Sequence, residues 1–129
     1  MTSRQLQKFL DSQSDYRRRM LDRLVAQYGT RTVNLAAKHL DDLTEKYPSG
    51  LEGLPGFCRE LRARRGTSRS WTIAADMMVE LLKVLADGLD QLPRRDRSRV
   101  NVIQLELPAP FRAAAQGLTR GRKNEILSS

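Results

Sequence analysis

Apolar residues recur along this chain at three- and four-residue steps, and those steps divide most of it into helices. Leu6, Phe9 and Leu10 open one stripe, which fades through Asp11, Ser12, Gln13 and Ser14 and resumes at Tyr16, Met20, Leu21, Leu24, Val25 and Tyr28. Ser12 with Asp15 three positions on resembles a capping box with Asp in the Glu place, so the pattern predicts two helices, near 3–11 and 14–28. Gly29 suits the residue after a helix, because it takes positive φ at no steric cost. Thr32 can then cap a helix over about 33–46, with Val33, Ala36, Ala37, Leu40, Leu43 and Tyr47 on one face and Pro48 as its stop.

Residues 48–56 hold three glycines and two prolines and read as a connection, the best candidate hinge. Phe57, Cys58 and Leu61 mark a short helix over 55–65 that ends at Gly66. Thr67, Ser68 and Ser70 supply cap chemistry for the most apolar segment, 70–92, where only Asp76, Glu80, Lys83, Asp87 and Asp90 interrupt the apolar surface. A helix apolar nearly all round lies inside a core or under a partner subunit, so this segment is expected to organise the fold and a homodimer is expected to help cover it.

Pro93 and residues 94–99 read as a solvated basic loop. Val100, Val102, Ile103, Leu105 and Leu107 alternate in part with Asn101, Gln104 and Glu106, a strand-like pattern that would pair with its copy in a second subunit or be irregular. A short Ala-rich helix is expected over 111–118. The fold class read from the pattern is mainly α: a compact helical bundle around a central apolar helix at about 70–92, with one short strand or extended segment near 100–107. Residues 1–118 form the expected single helical domain and 119–129 a basic C-terminal tail.

Composition narrows the function classes. With 129 residues, 40% hydrophobic and 29% charged, the chain suits one globular domain. It opens without a secretory apolar run and has no stretch of about 18 apolar residues, so the expectation is a cytoplasmic protein with no membrane span. Cys58 is alone, which excludes an internal disulfide, and with His39 as the single histidine there is no metal-ligand spacing, no cofactor motif and little basis for catalysis. A buried structural thiol is the ordinary reading of Cys58, although Arg59 and Arg62 would lower its pKa if it were exposed. A lone surface His39 is ordinarily inert.

Charge changes the picture most. Eighteen arginines against five lysines give much of a net charge of +8, and they cluster. Residues 55–70 carry a balance of +4 through Arg59, Arg62, Arg64, Arg65 and Arg69, and residues 94–129 a balance of +5 that begins with Arg94, Arg95, Arg97 and Arg99. The guanidinium fork matches phosphate geometry, so DNA or RNA is the expected partner, bound by arginines from both clusters converging on one surface, in a regulatory or accessory role. Residues 21–43 also fit a helix-turn-helix with Gly29 at the turn. There Arg31, Asn34 and Lys38 would face a groove and Arg17, Arg18 and Arg19 would meet phosphates, with Asp41, Asp42 and Glu45 opposing. A plain helical hairpin with solvated charges is the competing account.

The run Gly66-Thr67-Ser68-Arg69-Ser70 places amides, hydroxyls and guanidinium donors at a helix start, a setting that attracts anions. It resembles the turn into the second helix of ribbon-helix-helix repressors, without the alternating strand that this family places before it, and no roles follow from so short a match. The alternative function is a protein-binding inhibitor, adaptor or assembly subunit, with arginine meeting an acidic protein surface and Met77 and Met78 beside Trp71 as an adaptable docking face.

Overall fold

The computed structural model describes residues 4–47, 50–105, 107 and 109–119. They fold mainly as helix: α1 Arg4–Tyr28, α2 Thr30–Lys46, α3 Gly50–Arg64, α4 Arg69–Gln91, the short α5 Arg94–Arg97 and α6 Ala109–Thr119. The basic segment expected as a tail lies outside the described residues, apart from Thr119, the last residue of α6.

α1 is one helix where the pattern predicts two. No Gly or Pro interrupts it, and Phe9, Tyr16 and Met20 keep one face turned to the core across the polar stretch. Ser12 and Ser14 point outward, while Gln13 crosses to α4 and donates to the Val84 carbonyl at 3.3 Å. Gly29 then serves two helices at once. At φ +90° it ends α1 with its N–H on the Val25 carbonyl at 2.8 Å, and its own carbonyl accepts from the Val33 N–H at 3.3 Å. α2 therefore begins before Thr32 and carries no side-chain cap.

The glycine- and proline-rich stretch is helical from Gly50 onward, which corrects its reading as a hinge. Its glycines serve close packing. A Cβ on Gly53 would lie 2.8 Å from the Tyr47 carbonyl oxygen, and one on Gly56 would lie 2.5 Å from the Tyr47 ring. The end of α2 therefore sits directly on the first turns of α3, and Pro55 costs α3 only one amide donor near its start.

Gly66, at φ +88°, reverses the chain into α4. Ser68 caps α4 by accepting from the Trp71 N–H at 3.2 Å, and the Thr72 hydroxyl accepts from the Gly66 N–H and donates to the Ser68 carbonyl, each at 3.0 Å. Ile73, Ala74, Ala75, Met77, Met78, Leu85 and Leu89 of α4 are buried, and α1, α2, α3 and α6 of the same chain all pack on it. Coverage of α4 thus does not of itself require a second copy.

Residues 102–105 form a 3-10 helix rather than a strand. Val102 and Leu105 are both buried, and a three-residue step puts two side chains on one face of a 3-10 turn but on opposite faces of a strand. No strand occurs among the described residues, so strand pairing gives no support to a dimer. The segment delivers Leu105 and Leu107 to the core beside α6, whose Phe111 ring meets Phe57 of α3 edge-on at 5.1 Å.

Candidate nucleic-acid interface

The end of α3, the turn at Gly66 and the start of α4 gather most of the first arginine cluster. Trp71 stands on the first turn of α4, half-buried, and the His39 imidazole of α2 lies flat on it with centroids 4.0 Å apart and planes 6° apart. His39 Nε2 is 3.0 Å from the buried Ser70 hydroxyl, itself 3.1 Å from the capping hydroxyl of Ser68. The Arg64 guanidinium sits 5.0 Å from the Trp71 ring centroid, within cation–π range. Burial holds the His39 pKa below the ordinary imidazole value, Arg64 and Lys38 push it the same way, and Asp42 opposes them.

Two of the five arginines are held by carboxylates. Arg64 Nε pairs with Glu60 at 3.2 Å and Arg65 Nε with Asp76 at 2.9 Å. Glu60 also accepts from Lys46 Nζ at 2.6 Å and the Tyr47 hydroxyl at 2.9 Å, and the Lys46 contact leads in drawing its carboxyl below the usual range. One carboxylate thus serves two cations, so the group keeps a net positive charge. Arg59, Arg62 and Arg69 are exposed with no carboxylate partner among the described residues, and Arg69 lies 5.9 Å from the ring of Tyr28, the last residue of α1.

That contact brings in the helix-turn-helix candidates. Arg31 follows Tyr28 by three residues, and Lys38 precedes His39, so the first half of α2 shares this end of the bundle. Arg31, Asn34 and Lys38 are exposed at helical spacing, opposite the buried Val33, Ala36 and Leu40. Asp41, Asp42 and Glu45 continue the same outer face, so α2 is basic toward its start and acidic toward its end.

The second cluster stays apart. Arg94, Arg95, Arg97 and Arg99 follow the far end of α4, whose 23 residues span about 34 Å. The two clusters therefore do not converge on one surface at the start of α4. Arg97 is turned inward, donating to the Leu92 carbonyl at 3.4 Å, while its Nε is covered and meets no acceptor. Arg18 and Arg19 are also tied, both to Asp15, at 2.6 and 2.8 Å.

No protein-family model, curated protein or solved structure matches the chain. The interface is thus read from its own residues. Among them, no group of three or more His, Cys, Asp or Glu side chains could hold a metal ion within the described residues, and no described helix is long and apolar enough to cross a membrane. Burial raises the pKa of Cys58 against the pull of Arg62, so the half-buried thiol keeps its proton at neutral pH.

Ser70 and Trp71 were legible at the helix start, whereas His39, Tyr28 and Glu60 were not legible as members of this site. His39 and Ser70 are 31 residues apart, and only the fold brings them together. The one available hint was an aromatic residue close to arginine at Trp71 and at Tyr28, a pairing common to any arginine-rich chain.

Proposed function

We propose that the end of the bundle formed by the start of α2, the end of α3 and the start of α4 binds nucleic acid through its phosphates, in a regulatory or accessory role. The observation that carries this reading is the turn at Gly66, where Arg64 lies over the Trp71 ring and the exposed Arg69 over the Tyr28 ring. Arg31, Lys38, Arg59 and Arg62 are exposed on the helices that meet there, without a carboxylate partner among the described residues. Arg64 and Arg65 add charge there, but their acid partners must be displaced or shared before they meet a phosphate. Helical segments and the Trp71–His39 stack hold the cations on a rigid base, which lowers the ordering cost of binding. Phosphate contact of this kind carries little sequence information, and the acids on the second half of α2 argue against laying that whole helix into a groove.

The rival use of Met77 and Met78 as a docking face loses its footing, because both are buried among residues of the same chain. Fluorescence anisotropy with duplex DNA, single-stranded DNA and RNA, each at several salt concentrations, tests the proposal. The triple variant Arg59→Ala, Arg62→Ala, Arg69→Ala should weaken binding at every sequence, and each lost phosphate contact should flatten the salt slope by about 0.9 on duplex DNA. Unchanged affinity and slope in that variant would remove this end as the binding surface.

A further inference from the structure

A separate cleft opens between α1, α2, α4, α6 and the segment bearing Leu105 and Leu107, with a volume of about 310 Å³. Its floor is apolar: Met77, Met78, Leu81, Leu85, Leu105 and Leu107. Its lining also includes Arg17, Arg112 and Asp41. Two other polar side chains of the lining are already engaged, Gln13 with the Val84 carbonyl at 3.3 Å and Thr44 with the Leu40 carbonyl at 2.8 Å. Arg112 differs from both. It is half-buried, its Nε is fully covered, and no acceptor among the described residues meets it.

A guanidinium cannot shed its charge, and half-buried in a largely apolar lining it favours an anion at the part of it that faces the cleft. The floor below calls for an apolar body. We propose that this cleft binds a small amphipathic carboxylate, its hydrocarbon chain along Leu81, the half-buried member of the apolar lining, and its carboxylate in two-point contact with Arg112. Arginine and carboxylate match in that geometry, and a pocket of this size and lining is typical of small-molecule sites. Asp41 in the lining disfavours dianions and larger acidic groups by repulsion, which narrows the ligand to a monoanion. The cleft lies along the middle of α4, apart from the cations at its start, so the inference stands independently of nucleic-acid binding.

Titration of ¹⁵N-labelled protein with sodium octanoate, and in parallel with 1-octanol, tests it. Octanoate should shift the amide resonances of Met77, Met78 and Leu81 and bind at least about tenfold more tightly than octanol, since the two share a chain and differ in the charge that Arg112 meets. Arg112→Gln should cost octanoate about the same factor and leave octanol unaffected, while Arg112→Lys should restore part of the loss. No shift at these residues in millimolar octanoate, or equal affinity for octanoate and octanol, would overturn the site. The comparison of the two ligands on the natural chain decides the matter even if a variant does not fold.

Discussion

The His39 imidazole and the Trp71 indole are stacked at 4.0 Å, and this contact joins α2 to the first turn of α4. A second bond, from the His39 ring nitrogen to Ser70, fixes the ring in that plane. Burial depresses the pKa of His39, so within the window between the folded and unfolded values the unfolded chain binds more protons than the folded one. This contribution to stability is therefore complete at neutral pH and falls as the pH drops through the ordinary imidazole value of about 6.5. Urea unfolding midpoints should decline between about pH 7 and pH 5, and His39→Gln should flatten that decline. An identical pH profile in the variant would show that His39 does not titrate differently on folding.

The Tyr16 hydroxyl donates to Glu80, which also pairs with Arg23 at 3.0 Å. These partners, Tyr16 foremost, draw the Glu80 carboxyl below its usual range, so its contribution is present above that range and lost as acid protonates the folded carboxylate. Tyr16→Phe should cost about 1 kcal/mol at neutral pH by urea denaturation. The gap between natural chain and variant should narrow below about pH 4.

Alanine normally strengthens a helix relative to glycine, by up to about 1 kcal/mol. At Gly56 the sign should reverse, because the new methyl would lie 2.5 Å from the Tyr47 ring, which its bond to Glu60 holds in place. Gly56→Ala should lose about 1–3 kcal/mol in urea denaturation. Adding Tyr47→Leu to that variant should cost less than the same change in the natural chain, since it removes the collision.

The separation of the arginine clusters predicts how binding depends on ligand length. About 34 Å of α4 corresponds to about ten base pairs of duplex. Arg94→Ala, Arg95→Ala, Arg99→Ala should leave affinity for a duplex of about eight base pairs unchanged and weaken binding only to longer ones. Equal losses on short and long duplexes in anisotropy would place the second cluster in the same contact as the first.

The helices were legible where apolar spacing was regular and ended in recognisable chemistry, as with α4 between Ser68 and Leu92 and α2 after Gly29. The reading failed where a residue type has two uses. Gly53 and Gly56 look like chain breakers but permit contact with Tyr47, and Val102 and Leu105 look like parts of an alternation but are buried together by a 3-10 turn. Ser12 and Asp15 have cap chemistry, yet the stripe through Phe9, Tyr16 and Met20 outweighs it. At the candidate interface, exposure of the arginines followed from composition and the Glu60–Arg64 pair from its four-residue spacing, whereas the partners drawn from other helices could not be foreseen. Glu60 reaching Lys46 and Asp76 reaching Arg65 depend on how α3 meets its neighbours.

Tyr47 and Gly56 form one unit of inheritance. While the aromatic ring occupies the junction of α2 and α3, position 56 cannot accept a side chain, and position 53 is closed by the Tyr47 backbone carbonyl whatever side chain stands at 47. Any descendant of this chain that fills position 56 should have shrunk position 47 first, so those two are expected to change together over evolutionary time while position 53 stays glycine.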